Sequence, residues 1–414
     1  MLVSVVVWAA GRTPPPSDKS ELREAFKITW NQEVLPEGAK AGTLASLLSK
    51  GQVVMMNDDP PGGIPWTTAA GVMVDAPVDL VFSTATDFES YPEVVPMTDG
   101  AVVEPVSGMD NLYEVTFNVE ILFSWLSVEY SVYHYHRPPF RTDWTHAAGE
   151  FDINSGFWRT IPADANRRTM TFYSVYSLPR QEKLKKLYAR EPTMELMTNV
   201  CTATMVVRAM KEESEKRFGK DMPALKESRD VEEILMDDPE SMRLMSEQGK
   251  IVVLEEGPTV YVTAGTLVDT PCGYAFSVVS DFGKYDDYLP GIREAEVLRQ
   301  GEKGPVVRQV LDIKLWELNL TADKEIEYTL EKPKRISWTI DRSRGGPIEG
   351  YWRFLPQDNN TKCLIFNGTT EDLRSMSLVS RAALRMVPTL EHGLLASITT
   401  AGMDAIKKRI EQKE

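Results

Sequence analysis

Among side chains able to do acid–base or metal chemistry, histidine and cysteine are the scarcest, with four and three in the chain. Three of the histidines crowd together. His134 and His136 lie two apart in an alternating segment, hence on one face of a strand, and His146 falls on the next predicted strand. Such a trio could seed a metal site, but no carboxylate converges on it, and the three are read as histidines at a sheet rim. So few histidines leave little from which to build a Ser-His-Asp triad. The three cysteines, Cys201, Cys272 and Cys363, are far apart and odd in number. They lack zinc-ligand spacing, so they are read as buried spectator thiols with neither metal nor disulfide framework.

Two polar residues interrupt otherwise apolar strand faces. Lys324 sits among Leu320, Ala322, Ile326 and Tyr328, and Gln309 among Val307, Leu311 and Ile313. A charge in such a place needs a partner, water or a ligand oxygen. Lys324 either snorkels to the sheet edge or meets a ligand, and both readings stand. In the Trp158-Arg159 and Trp352-Arg353 pairs the two side chains point to opposite faces, with Trp the better choice for the inside. Asp75, Asp87, Asp269 and Asp281 flank predicted helix ends and read as caps. Methionines such as Met197 serve as core filler or adapt to irregular apolar ligands. No phosphate-cradling glycine loop or nucleotide fingerprint occurs. Neither a cofactor nor a catalytic residue is assigned.

Formal charge sets outer limits. With 46 basic against 61 acidic residues the net charge is −15, the wrong sign for a nucleic-acid partner. It also argues against stable binding to anionic membranes, leaving at most transient contact. Met1 to Ala10 is apolar and ends in small residues, but lacks the basic start of a secretory signal. Residues 1–20 are read as a leader or remnant signal, with a slight lean to export.

An internal repeat decides the architecture. Gly71 to Pro77 (GVMVDAP) is answered by Gly265 to Pro271 (GTLVDTP), 194 residues on. The same spacing relates Phe88 to Phe282, Tyr91 to Tyr285, Trp144 to Trp338 and Trp158 to Trp352. Tryptophan is rare, so two aligned Trp pairs mark a duplication. Each copy reads as strand, two short helices, several alternating strands and one long helix. The second long helix carries the apolar stripe Leu390, Leu394, Ile398, Ala401 and Ala405. The order predicts an α+β fold: two tandem helix-grip domains, each a curved antiparallel sheet wrapped around a long C-terminal helix. The boundaries are 45–212 for the first domain, 213–242 for a charged linker and 243–412 for the second. Each half, with its own strands and helix, is expected to keep folded character alone.

At Asp281-Phe282, Tyr285, Leu289-Pro290-Gly291 and Gly350-Tyr351-Trp352-Arg353-Phe354 the chain resembles the START-like (SRPBCC) superfamily. It is most similar to the polyketide-cyclase and lipid-transport branch. The resemblance implies the helix-grip fold and a cavity for a hydrophobic small molecule: a lipid, isoprenoid or polyketide-like compound. An aromatase/cyclase-like enzyme is the alternative, and a further one makes one copy a structural module without ligand. Candidate ligand contacts are Tyr130, Trp144, Trp158, Phe172 and Met197 in the first copy. In the second they are Gln309, Lys324, Trp338, Trp352, Leu394 and Ile398. The second copy follows the pattern more closely and has small Ala322 against Val128, so its cavity is expected to be the larger.

Overall fold

The computed structural model describes residues 12–27, 29, 41–58, 66–120, 127–164, 167–190, 192–223, 225, 227–246, 249–257, 259–315, 318–340, 348–370, 373 and 378–412. Two helices, α1 (Lys19–Ala25) and α2 (Ala41–Lys50), precede β1 (Gly51–Asn57) and β2 (Thr67–Val74). Short helices α3 (Val78–Ala85) and α4 (Tyr91–Val94) follow. Next come β3 (Thr98–Pro105), β4 (Leu112–Glu120), β5 (Ser127–Arg137), β6 (Arg141–Gly149), β7 (Phe151–Pro162) and β8 (Thr169–Pro179). The repeat closes with α5 (Glu182–Arg190) and the long α6 (Pro192–Phe218). Helices α7 (Val231–Asp237) and α8 (Pro239–Ser246) lead into the second repeat. That repeat begins with β9 (Gly249–Glu255), β10 (Tyr261–Val268), α9 (Cys272–Val279) and α10 (Tyr285–Tyr288). Its remaining strands are β11 (Ile292–Gln300), β12 (Pro305–Leu315), β13 (Leu318–Glu331), β14 (Arg335–Ile340), β15 (Ile348–Gln357) and β16 (Lys362–Thr370). Helices α11 (Leu378–Met386) and α12 (Leu390–Glu411) end the chain's regular structure.

The two repeats share one antiparallel sheet of sixteen strands. Its order runs β11-β12-β13-β14-β15-β16-β10-β9 and then, as a mirror of that path, β1-β2-β8-β7-β6-β5-β4-β3. At the seam β1 pairs with β9, Gly51 opposite Glu255 and Asn57 opposite Gly249. Since Gly51 answers Gly249 in the duplication, these two pairs exchange under a local two-fold axis. The strand that would be an exposed edge in a single repeat is thus capped by its own copy.

Alternation on the strands sends one set of side chains to the helices and the other to the back of the sheet. On the helix side, α6 packs on β2 and β8, and α12 on β9 and β10. The helices cross where Ser397 Oγ donates to the Met197 carbonyl at 2.9 Å. Gly393 makes that approach possible, because a Cβ there would stand 2.7 Å from Cys201 Sγ. Behind the sheet a second core gathers Leu47, Val53, Phe172, Ile251, Val253 and Phe366 under α2, α7 and α8. The segment read as charged linker therefore contains a packed helix, with Val231, Ile234 and Leu235 buried at i, i+3 and i+4. Glu232 of α7 accepts hydrogen bonds from Tyr351 and Arg353 on β15. This puts Arg353 behind the sheet and Trp352 under the helices, the orientation read from the alternation.

Two sequence readings need correction. Cys272 and Cys363 are not spectator thiols but a disulfide, with Cα atoms 4.9 Å apart. Cys363 lies opposite Val268 in the β10–β16 ladder, and α9 begins four residues after Val268, so the chain delivers Cys272 beside it. The first repeat has Val78 and Thr169 at these positions, and Thr169 Oγ1 donates instead to the Ala76 carbonyl at 2.8 Å. The repeated aspartates form ion pairs rather than caps: Asp75 accepts from Arg168 at 2.6 Å, and Asp87 from Arg217 at 2.9 Å. α3 and α9 start at Pro77 and Pro271 without a side-chain cap.

Candidate functional site

Inside the first repeat, between β4–β8, the α4 turn and α6, lies a cavity of about 170 Å³. Its walls are largely aromatic: Phe88, Phe117, Tyr130, Trp144, Phe151, Trp158 and Tyr173 all border it. Phe88 comes from the tight turn before α4, and the others arrive by strand alternation. On β5, Val128, Tyr130, Val132 and His134 project to the same side; on β8, Tyr173, Val175 and Ser177 do. None of the described lining residues is Asp, Glu, Lys or Arg.

The rings brace one another. Trp144 stacks on Tyr173 with centroids 5.1 Å apart, and Tyr173 meets Trp158 at 4.6 Å. Tyr130 lies edge-on to Phe151 at 5.0 Å. Trp144 Nε1 donates to Asn154 Oδ1 at 3.3 Å, tying β6 to β7 across the floor. Tyr91 holds the helical turn by donating to the Ala85 carbonyl at 2.7 Å, as Tyr285 does to Val279 at 2.6 Å. Such preformed packing leaves an apolar space that does not collapse.

Burial fixes the protonation states. Desolvation pushes the Tyr130 phenol up to about 12, against an opposing hydrogen bond with Asn154. It raises Tyr173 well above the ordinary phenol value, with the neighbouring Tyr130 and Tyr91 adding to the shift. His134 is 3% exposed, and burial drives its pKa well below the usual imidazole value, with His136 adding to the shift. At neutral pH every titratable group on the wall is therefore uncharged. His134 was read as a rim residue; instead it is clasped between Phe88, centroids 4.3 Å apart, and Trp144, 5.5 Å apart. Neither of its ring nitrogens has a hydrogen-bond partner among the described residues.

Of the residues singled out from sequence, Tyr130, Trp144 and Trp158 line this cavity. Phe172 does not. It sits in the core behind the sheet, its ring over Gly71, where a Cβ would be 2.5 Å away. The face was misassigned by one residue, and Tyr173 takes the inward place. Met197 and Ile398 border a different space, a cleft of about 210 Å³ at the junction of the repeats, together with Arg293 and Asp312. Leu394 and Trp352 are core residues, and Trp338 packs partly buried against that core. Sequence reasoning also missed Phe88, Phe117 and Asn154. The first two carry no polar signal, and Asn154 follows a turn whose register the alternation did not settle.

The second repeat differs at the equivalent positions. Tyr328 occupies the position of His134 and stacks on Phe282 with centroids 4.0 Å apart. Gln309 Nε2 donates to the Tyr328 hydroxyl at 2.9 Å, and the first repeat has Phe117 in that place, opposite Tyr130 as Gln309 is opposite Lys324. Lys324, at the position of Tyr130, is 8% exposed and stands opposite Gln309 in the β12–β13 ladder. It points inward as the alternation requires.

Two family models with one description, polyketide cyclase / dehydrase and lipid transport, match the chain over residues 74–189 and 259–411. No curated protein matches. Among solved structures, the chain is similar to the di-domain ARO/CYC BexL from the BE-7585A biosynthetic pathway. That match has 12% identity and a TM-score of 0.29, covering 84% of this chain and 99% of that one. The ZhuI aromatase/cyclase from Streptomyces sp. R1128 is 19% identical with a TM-score of 0.32, covering 37% and 94%. A STAR-related lipid transfer protein from Xanthomonas axonopodis is 12% identical with a TM-score of 0.27, covering 40% and 93%.

Proposed function

We propose, for a chain that belongs twice over to the polyketide cyclase/dehydrase and lipid-transport family, that the first repeat binds an uncharged hydrophobic small molecule. The observation that carries this reading is the first-repeat cavity, walled by rings and free of formal charge among its described residues. Burial of apolar ligand surface against such a wall contributes about 25 cal/mol per Å². A formally charged ligand would lose its hydration there and gain no counter-ion. The disulfide of the second repeat supports an exported setting, since such bonds persist in oxidising compartments.

A cyclase-type role has one specific support, the neutral His134 imidazole on the cavity wall, able to give and accept a proton. Simple binding is preferred because burial holds His134 well below the imidazole range and the tyrosines above the phenol range, so neither is poised near neutrality. The test is native mass spectrometry of the full-length protein as purified, followed by titration with the neutral dye Nile red. A bound apolar compound, or dye binding that Val175→Trp abolishes by filling the cavity, supports the reading. Dye binding of unchanged affinity in Val175→Trp would place the site elsewhere.

A further inference from the structure

The two repeats are each other's control for one buried polar position. In the second, Tyr328 has its hydroxyl engaged by Gln309 at 2.9 Å, so the protein satisfies that atom itself. In the first, the strand register puts Phe117 where Gln309 stands, so beside His134 the cross-strand donor has gone. His134 is nevertheless 3% exposed, lines the cavity, and neither ring nitrogen meets a partner among the described residues. A buried polar atom left without a hydrogen bond costs the full desolvation of that atom, and such atoms are rare. Where one faces a cavity, the missing partner belongs in the cavity.

We propose that His134 is the hydrogen-bonding anchor for an oxygen of the ligand, a hydroxyl or a carbonyl, at the end of the cavity walled by Phe88 and Trp144. This deepens the cavity reading above and rests on it. A neutral imidazole presents one N–H donor and one bare nitrogen acceptor, so it matches either oxygen type without needing a charged group. The clasp of Phe88 and Trp144 fixes the ring plane, which gives the contact a direction. On β5, Val128 borders the same cavity six residues away, a span of roughly 20 Å along the strand. The ligand class that fits is an elongated or fused-ring apolar body with an uncharged oxygen at its inner end. Tyr130 and Asn154 border its flank.

The experiment compares 2-naphthol with naphthalene, two probes of one shape that differ by a hydroxyl, on the full-length protein. Wild type is expected to bind 2-naphthol about tenfold more tightly, the scale of one hydrogen bond made to a buried site. His134→Phe should erase that ratio while naphthalene binds as well or better. Because His134→Phe alone could perturb folding, the second variant is Phe117→Gln with His134→Tyr, which installs the second repeat's own pair. It should fold and discriminate no better than His134→Phe. In ¹⁵N spectra of the wild type, His134 should shift on saturation with 2-naphthol and not with naphthalene, with His146 as the unmoved control. A wild-type ratio retained in both variants, or an unmoved His134 signal, overturns the anchor while leaving the cavity reading intact. Failure of both probes to bind wild type overturns the cavity reading, and this one with it.

Discussion

The indole of Trp144 occupies the space that any side chain at position 156 would need: a Cβ on Gly156 would lie 2.3 Å from Trp144 Cζ2. The same relationship holds between Trp338 and Gly350, at 2.2 Å. In each repeat the two residues are direct cross-strand partners, so glycine and tryptophan form one unit of the ladder. Gly156→Ala is expected to cost about 3 kcal/mol or more, at or beyond the upper end of overpacking penalties. Its Cβ would also stand 2.0 Å from the Ser174 carbonyl oxygen, which cannot move without breaking the β7–β8 ladder. At Gly350 the near contacts are all in the Trp338 indole and none is backbone, so Gly350→Ala should cost less. Chemical denaturation of the two variants checks the order, and a harmless Gly156→Ala would refute the packing argument.

Acid should destabilise the first repeat through its histidines. Burial drives His136 down to about 4 and lowers His134 and His146 as well. A depressed folded pKa means that the unfolded chain binds protons first, near 6.5, so stability falls as pH drops through that value. For His136 the loss runs from about pH 6.5 to about 4 and amounts to about 3 kcal/mol at most. Asp58 and Glu195, whose folded pKa values are raised, work in the opposite sense. The comparison that isolates the histidines is therefore wild type against His134→Tyr with His136→Leu, the residues of the second repeat. Its stability curve should be flatter across that window; parallel curves would refute the attribution.

Reduction of Cys272–Cys363 should weaken the second repeat. The bond closes a loop with a sequence separation of 91, for which chain entropy predicts about 4.6 kcal/mol of stabilisation. Thermal unfolding with and without reductant should differ in wild type and not in Cys272→Ser with Cys363→Ser. Cys201, buried at the helix crossing, should stay unmodified under both conditions until unfolding. Identical melting of reduced and oxidised wild type would show that the bond contributes nothing.

The duplication, and with it the strand order, was legible because Trp and Gly recur in register, and rare residues carry the most information about alignment. The inward face of β5 was also legible, since Val128, Tyr130 and Val132 alternate cleanly with polar residues. The face of β8 was not. Both Phe172 and Tyr173 are buried or nearly so, one behind the sheet and one toward the cavity, and a strand apolar on both sides has no period to read. His134 was misjudged for a related reason. Its neighbours Tyr133 and Tyr135 are amphipathic, so nothing in the local pattern separates a rim from a cavity end. The disulfide joins residues on two elements far apart in the chain, and only the strand register brings them together. Helix α7 was missed although Val231, Ile234 and Leu235 have helical spacing, because the surrounding charges hid so short a stripe.

The seam between repeats argues against the expectation that either half stands alone. β1 and β9 pair through the whole of both strands, and the core behind them draws Leu47, Val53 and Met55 from one repeat and Ile251, Val253 and Leu364 from the other. On the other face Ser397 of α12 donates to Met197 of α6, and Cys201 fills the notch at Gly393. Separating the halves would expose an unpaired strand edge beside an apolar surface on each, the combination that templates association. Residues 41–223 or 227–412 expressed alone should therefore sediment as dimers or larger species, each β1 or β9 pairing with a second copy across the vacated axis. Gly393→Val tests the same contact within the intact chain: with a Cβ 2.7 Å from Cys201 Sγ and 3.1 Å from the Cys201 carbonyl oxygen, it should destabilise by about 2 kcal/mol or more. A monomeric, cooperatively unfolding half, together with an unperturbed Gly393→Val, would mean that the seam is a contact of convenience rather than a shared core.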